Sequence, residues 1–238
     1  MKQLEPMTIS TAQMAALTRV AGAGGVLVSE AMTKMTGQAV SVGRPAVRSV
    51  PITRVADLLG GGETRVVALH TQIHGMLRGE ILIALSPATA GWLLASILGA
   101  SPSIGSGPSH YPDRLLAQPM TSPSHGSLTG IAESALLEFG NTTAARYLNA
   151  VGDAAGQSLL VSPPEMAIDM AGAVVDDILV ETARGAANLP LIELDLEAGQ
   201  TGCRVRMLHL LDPETLHQLV TALCRRHVGG RRETVGGD

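Results

Sequence analysis

The chain has 238 residues, 45% of them hydrophobic and only 2% aromatic, with a formal net charge of -4 at pH 7. This length can bury a core in one or two domains, and the negative charge argues against a general nucleic-acid or anionic-membrane surface. Two cysteines, Cys203 and Cys224, are too few for a secreted disulfide framework and lack zinc-ligand spacing. Because the first segment resembles neither a signal peptide nor a membrane span, we expect a cytoplasmic globular protein.

The first 100 residues predict a helix, a strand, a hairpin and a second helix. Apolar residues at helical spacing predict a long helix over roughly 11–35, and a strand follows near Pro45. The stretch RVADLLG predicts a short helical piece. Alternation in RVVALHTQIH and EILIAL, on either side of a glycine-containing turn, predicts a β-hairpin. A Ser-Pro start at Ser86 predicts the closing helix.

The second half of the chain predicts the same elements in the same order. A long helix is expected over roughly 129–152, a strand near Pro164, and a short helical piece in AVVDDIL. The stretches LIELDLE and CRVRMLHLL predict a hairpin, and an Asp-Pro start predicts a last helix. Residues 101–127, rich in Pro, Ser and Gly, predict a flexible linker between the halves. Residues 227–238 predict a frayed tail.

Matching residues support an internal repeat. Three identical pairs are separated by a constant 119 positions: Gly37 and Gly156, Gln38 and Gln157, Pro45 and Pro164. We therefore predict a single domain made of two repeats, 11–100 and 128–226, related by an approximate twofold axis. The expected fold class is α+β, with a largely antiparallel sheet of about six strands and long helices packed on it.

The long helix of the second half carries a polar row within an apolar run. Ser134, Glu138 and Asn141 are spaced by four and three residues, which places them on one face of a helix. The stretch EFGN could instead mark a helix end, because Gly and Asn favour the C-terminal cap; apolar spacing that continues to Val151 weakens this alternative. A second alternative is a simple solvated face. Pro164 follows Asn141 after 22 intervening residues.

The complete pattern, Ser-x3-Glu-x2-Asn-x22-Pro, resembles the signature of the CheC/CheX/FliY family of chemotaxis phosphatases, and the internal repeat resembles the CheC type. The resemblance implies a hydrolase with one active site, acting on the aspartyl phosphate of a CheY-type response regulator. It implies that Asn141 orients the attacking water, that Glu138 docks a lysine of the regulator, and that Ser134 contacts the partner. Pro164 and Pro45 would have structural roles. No cofactor is expected on this chain, and magnesium is expected on the regulator.

The sequence departs from the family pattern in two places. In the first half, the positions that correspond to the polar row hold Ala15, Arg19 and Gly22, so only the second half is expected to be active. After the motif asparagine the family helix usually continues with small residues, whereas TTAARYLN here includes the bulkier Arg146 and Tyr147.

Several alternatives stay open at the level of sequence. The runner-up function is a non-catalytic adaptor of the same fold that binds a response regulator, a CheD-like deamidase or a flagellar switch protein. No motif supports a small-molecule enzyme. A monomer is favoured, because the fused repeat already supplies pseudo-symmetric pairing.

In the predicted strand, His70 and His74 would lie about 13 Å apart, too far for a metal pair. Gly22-x-Gly24 has no preceding strand, which favours helix packing over a phosphate loop.

Overall fold

The computed structural model describes residues 10–75, 77–99, 128–183, 185–199 and 202–229. The predicted linker at 101–127 lies outside these residues. The helices are α1 (Thr11–Thr36), α2 (Pro87–Ile97), α3 (Leu128–Ala155), α4 (Ala171–Thr182) and α5 (Pro213–Gly229). The strands are β1 (Val40–Val42), β2 (Ala46–Pro51), β3 (Arg65–His74), β4 (Gly79–Leu85), β5 (Leu160–Val161), β6 (Glu165–Met170), β7 (Asn188–Ala198) and β8 (Cys203–Leu211). In the described part of the chain, no helix combines the length and apolar character needed to cross a membrane.

Local signals set the bounds of α1. Ser10 accepts a hydrogen bond from the backbone of Gln13, whose side chain in turn accepts one from the backbone of Ser10. This reciprocal cap satisfies two of the amide groups that a helix start leaves unpaired. Gly37 ends the helix at φ 66°, a left-handed conformation that glycine adopts without a steric penalty.

The sheet is antiparallel throughout and has eight strands, in the order β1-β7-β8-β4-β3-β5, with β2 also on β7 and β6 also on β3. The predicted α+β class is therefore confirmed. One strand was expected near Pro45 and one near Pro164, and each is divided into two short strands. Both short strands of a pair lie beside the same neighbouring strand, so the eight strands fill six positions in the sheet. Proline has no amide hydrogen to donate to a ladder, and each proline lies in the gap between the two pieces.

Each repeat contributes an edge strand to the hairpin of the other. The divided strand β1/β2 of the first repeat pairs with β7, and the divided strand β5/β6 of the second pairs with β3. The two hairpins meet at the centre, where β4 pairs with β8. The sheet is consequently continuous across both repeats, and neither repeat covers its own outer hairpin strand.

Helices cover both faces of this sheet. The larger core lies between one face and the helices α1, α2, α3 and α5. The smaller core lies between the other face, α4 and two 3-10 helices, Ile52–Arg54 and Ala56–Leu59. The short helical piece predicted in each half therefore takes two forms, a pair of 3-10 turns and a 12-residue α-helix.

The end of the chain corrects one prediction. Helix α5 continues to Gly229, so the tail that was expected from residue 227 begins inside a helix. Residues 230–238 lie outside the described residues.

Candidate functional site

Helix α3 presents the polar row to solvent. The helix runs without interruption from Leu128 to Ala155, so the interpretation of EFGN as a helix end is wrong. Ser134, Glu138 and Asn141 are all exposed. Apolar side chains on the other side of the helix pack in the core and are buried: Leu136, Phe139 and Ala144. These residues can be polar because their face of α3 is exposed to solvent and does not pack in the core.

A glycine beside the motif asparagine lets α3 lie close to the sheet. A Cβ atom on Gly140 would lie 3.2 Å from both Cβ and Cδ1 of Leu69 on β3, which is tighter than ordinary van der Waals contact. Gly140 is buried within the helix instead of ending it. The height of Asn141 above the sheet is therefore fixed by a close helix–strand contact.

Tyr147 anchors the buried face of α3, away from the exposed polar row. Its side chain is fully buried, and a Cβ atom on Gly24 of α1 would lie 2.6 Å from its Cδ2 atom. Its hydroxyl is 3.3 Å from Nδ1 of the buried His209 on β8, with the two rings edge to face. Of the two bulky residues that depart from the family pattern, Tyr147 is thus a core residue, and only Arg146 is exposed on α3.

Burial sets the ionisation of this anchoring pair. It lowers the pKa of His209 to about 3 and raises the pKa of Tyr147. Both side chains are therefore neutral at physiological pH, and their contact is a neutral hydrogen bond. A charge here would have no counter-ion in the core.

The exposed side chains of the row differ in their contacts. Thr142 Oγ1 donates a hydrogen bond of 3.3 Å to Oε1 of Glu138. Within the described residues, the carboxamide of Asn141 has no hydrogen-bond partner, so its donor and acceptor both face solvent. Thr142 is not among the residues expected from the sequence, although its spacing of four from Glu138 is the signal that places two side chains in contact on a helix.

The prolines of the two repeats occupy equivalent positions. Pro45 lies between β1 and β2, and Pro164 lies between β5 and β6. Just before each proline the chain makes one more ladder contact: Gly43 N donates to Asp195 O at 2.8 Å, and Ser162 N donates to Gln72 O at 3.0 Å.

In the first repeat, Pro45 lies close to the long helix. A Cβ atom on Gly22, the residue that corresponds to Asn141, would lie 3.9 Å from Cγ of Pro45. The break in this edge strand therefore lies beside the helix position that corresponds to the motif asparagine.

The equivalent face of α1 lacks the polar groups. Ala15 and Arg19 are exposed there and Gly22 is half-buried. The next turn adds two exposed apolar side chains, Val26 and Leu27. Gly22-x-Gly24 lies in the middle of this helix, as helix packing requires and a phosphate loop does not.

The two histidines considered as a metal pair lie in strand β3, as predicted. Nδ1 of His70 is 3.7 Å from Oε2 of the buried Glu80, and its Nε2 is 3.7 Å from Oε2 of Glu165. The interaction with Glu80 is the main reason that the pKa of His70 is raised above 6.5. The two carboxylates lie at opposite ring nitrogens, so this cluster links β3 to β4 and β6.

Known proteins similar to this chain include a CheY-P phosphatase and the protein FliY. No family profile matches the chain. The CheY-P phosphatase CheC of Bacillus subtilis (strain 168) is 24% identical over 217 residues, which cover 90% of this chain and 95% of that protein. The structure of FliY from Thermotoga maritima superposes with a TM-score of 0.65 at 12% identity, covering 92% of this chain and 100% of that one. A chain of the FliM–SpeE complex from H. pylori superposes with a TM-score of 0.60 at 10% identity, covering 93% and 99%.

These similarities extend over almost the full length of both chains, and the structural ones concern the fold. By sequence this chain is similar to a CheC protein along almost its whole length, and its fold is similar to that of FliY.

Proposed function

We propose that this chain hydrolyses the aspartyl phosphate of a CheY-type response regulator, at one active site on α3. The observation that carries the proposal is the exposed row of Ser134, Glu138 and Asn141, on a continuous helix of a protein similar to a CheY-P phosphatase. A pure adaptor would not require an unpaired carboxamide one turn from a carboxylate. The row lies on an exposed helix face, which suits a protein substrate better than a small molecule, since small-molecule sites are usually concave.

The proposed chemistry needs positioning and no strong acid. Water attacks the phosphorus atom, the bond between phosphorus and the aspartyl oxygen breaks, and the aspartate carboxylate leaves with the electron pair. Both protons of the water remain on the inorganic phosphate that is released. Carboxylate is a good leaving group. The carbonyl oxygen of Asn141 accepts a hydrogen bond from the attacking water, and its amide donates to a phosphoryl oxygen. A neutral carboxamide in this role positions water as a glutamine does in small GTPases.

Glu138 supplies the docking contact in this proposal. Its carboxylate is exposed one turn before Asn141 and pairs with a lysine of the regulator near the phosphoaspartate. Ser134, one turn further along, contacts the partner without taking part in a chemical step. The magnesium ion that neutralises charge on the phosphoryl group belongs to the regulator, so this chain supplies only the helix face.

The first repeat is proposed to be inactive. A cation at Arg19 would repel the lysine that Glu138 attracts, and Gly22 has no side chain with which to order water. Pro45 and Pro164 both keep the edge strand divided, so the scaffold is preserved in both halves while the reactive groups occur in only one.

The test is the decay of a phosphorylated CheY-type regulator in single-turnover reactions. We expect Asn141→Ala to slow the decay by about 100-fold or more, the scale found when one transition-state hydrogen-bonding group is removed. Affinity for the regulator should change little, because the lost contact belongs to the transition state. Glu138→Ala should weaken both docking and rate.

Two controls sit at the matching positions of the first repeat. Arg19→Ala and Gly22→Ala should leave the decay rate within a factor of about two, since neither exposed-helix change removes a group that acts on water. Stability of the Asn141→Ala protein should be unchanged within about 0.5 kcal/mol. Equal activity of the wild type and Asn141→Ala would refute the catalytic role of this residue.

A non-catalytic adaptor is the second candidate, and the structural similarity to a chain of the FliM–SpeE complex favours it. Such an adaptor would bind a response regulator, a CheD-like deamidase or a flagellar switch protein through the same helices. The decay assay separates the two functions. An adaptor binds the phosphorylated regulator without accelerating its decay, and Asn141→Ala then changes neither property. Sedimentation of the isolated chain tests the expected monomer.

A further inference from the structure

We propose that Thr142 is a positioning residue that holds the Glu138 carboxylate in its docking geometry. This inference rests on the proposed function and names a further residue for the same site. It starts from the 3.3 Å hydrogen bond in which Thr142 Oγ1 donates to Oε1 of Glu138. The two residues are four apart on α3, so their side chains lie along one line of the exposed face.

The partner of this hydroxyl differs from that of two threonines in α1. Thr18 Oγ1 donates to the backbone carbonyl of Met14 at 2.9 Å, and Thr36 Oγ1 donates to that of Met32 at 2.8 Å. Bonding to the carbonyl four residues earlier is the usual outcome for a threonine inside a helix. Thr142 instead donates to the side chain four residues earlier.

The hydrogen bond restricts an otherwise mobile group. Glutamate has three side-chain torsions, and fixing such a side chain at an interface costs conformational entropy. Holding Oε1 before the partner arrives removes part of that cost from the binding step. The other oxygen, Oε2, stays available to the cation of the partner, because an ionised carboxylate has more acceptor sites than one hydroxyl fills.

The first repeat lacks both members of this pair. The constant offset of 119 places Arg19 at the position of Glu138 and Ala23 at the position of Thr142. The hydroxyl is thus present in the repeat that has a carboxylate to orient and absent from the repeat that does not.

An adjacent threonine provides a matched control. Thr143 is fully buried, and its Oγ1 has no hydrogen-bond partner among the described residues. Thr142→Val and Thr143→Val make the same chemical change at neighbouring positions of α3, with the same effect on helix propensity. Only the first removes a hydrogen bond to Glu138.

The experiment measures regulator dephosphorylation at varied regulator concentration for each variant. Thr142→Val should lower kcat/KM by about three- to tenfold, mainly through KM, which is the scale of one typical net hydrogen bond. Thr142→Ser keeps the hydroxyl and should restore at least half of the wild-type value. Thr143→Val should leave kcat/KM unchanged.

A double-mutant cycle separates positioning from a structural role. In the Glu138→Ala protein, Thr142→Val should have no further effect, because the group that it positions is gone. An equal loss in both backgrounds, failure of Thr142→Ser to restore activity, or wild-type behaviour of Thr142→Val would overturn this inference. If Thr142→Val is normal while Asn141→Ala is inactive, the inference fails and the proposed function stands. If the wild type does not accelerate the decay at all, both fail.

Discussion

Replacing Gly24 by alanine tests how tightly α1 and α3 pack where they cross beneath the candidate site. The new Cβ atom would lie 2.6 Å from Cδ2 and 3.0 Å from Cε2 of Tyr147, and 3.3 Å from its carbonyl oxygen. Tyr147 is fully buried and its hydroxyl contacts His209, so the ring cannot move without losing that contact. Overpacking of this kind costs about 1–3 kcal/mol, and the better helix propensity of alanine returns about 1 kcal/mol.

The net expectation for Gly24→Ala is a loss of up to about 2 kcal/mol in the free energy of unfolding. Gly22→Ala is the matched control on the same helix, because the nearest atom to its new Cβ, Cγ of Pro45, is at an unstrained 3.9 Å. This control should gain up to about 1 kcal/mol, since only the propensity changes. Urea unfolding followed by circular dichroism measures both. If Gly24→Ala is as stable as Gly22→Ala, the tight packing of the two helices is refuted.

Two more predictions concern the core beneath α3 and the inactive repeat. In the unfolded chain His209 takes up a proton near pH 6.5, whereas the folded protein keeps it neutral down to about pH 3. Between these pH values the unfolded state binds more protons than the folded state. Acidification should therefore destabilise the wild type relative to His209→Gln by up to about 1.4 kcal/mol per pH unit. Parallel curves of unfolding free energy against pH for the two proteins would contradict this. The polar row can be rebuilt on α1 by introducing Ala15→Ser, Arg19→Glu and Gly22→Asn into the inactive Asn141→Ala protein. The rate of regulator decay should rise at least about tenfold, because the new row supplies the water-positioning group. An unchanged rate would show that the scaffold of α1 cannot accept the regulator.

The order of the elements and the location of the candidate site could be predicted from the sequence. The hairpin strands RVVALHTQIH and CRVRMLHLL have the bounds of β3 and β8, because alternation of side chains is a local property of a strand. The row on α3 followed from spacing alone, since residues three and four apart share a helix face in any protein. The constant offset between the repeats predicted that the first half would lack the reactive groups.

The pairing of elements far apart in the chain was decided only by the tertiary structure. No local pattern shows that β1 and β2 pair with β7 of the other repeat, because sheet register depends on contacts between segments about 150 residues apart. For the same reason the sequence could not show that Tyr147 points into the core, toward Gly24 and His209, while its neighbour Arg146 faces solvent. The sequence determines which side chains share a face of α3, and the packing of α3 against α1 and the sheet determines which of those faces a partner can reach.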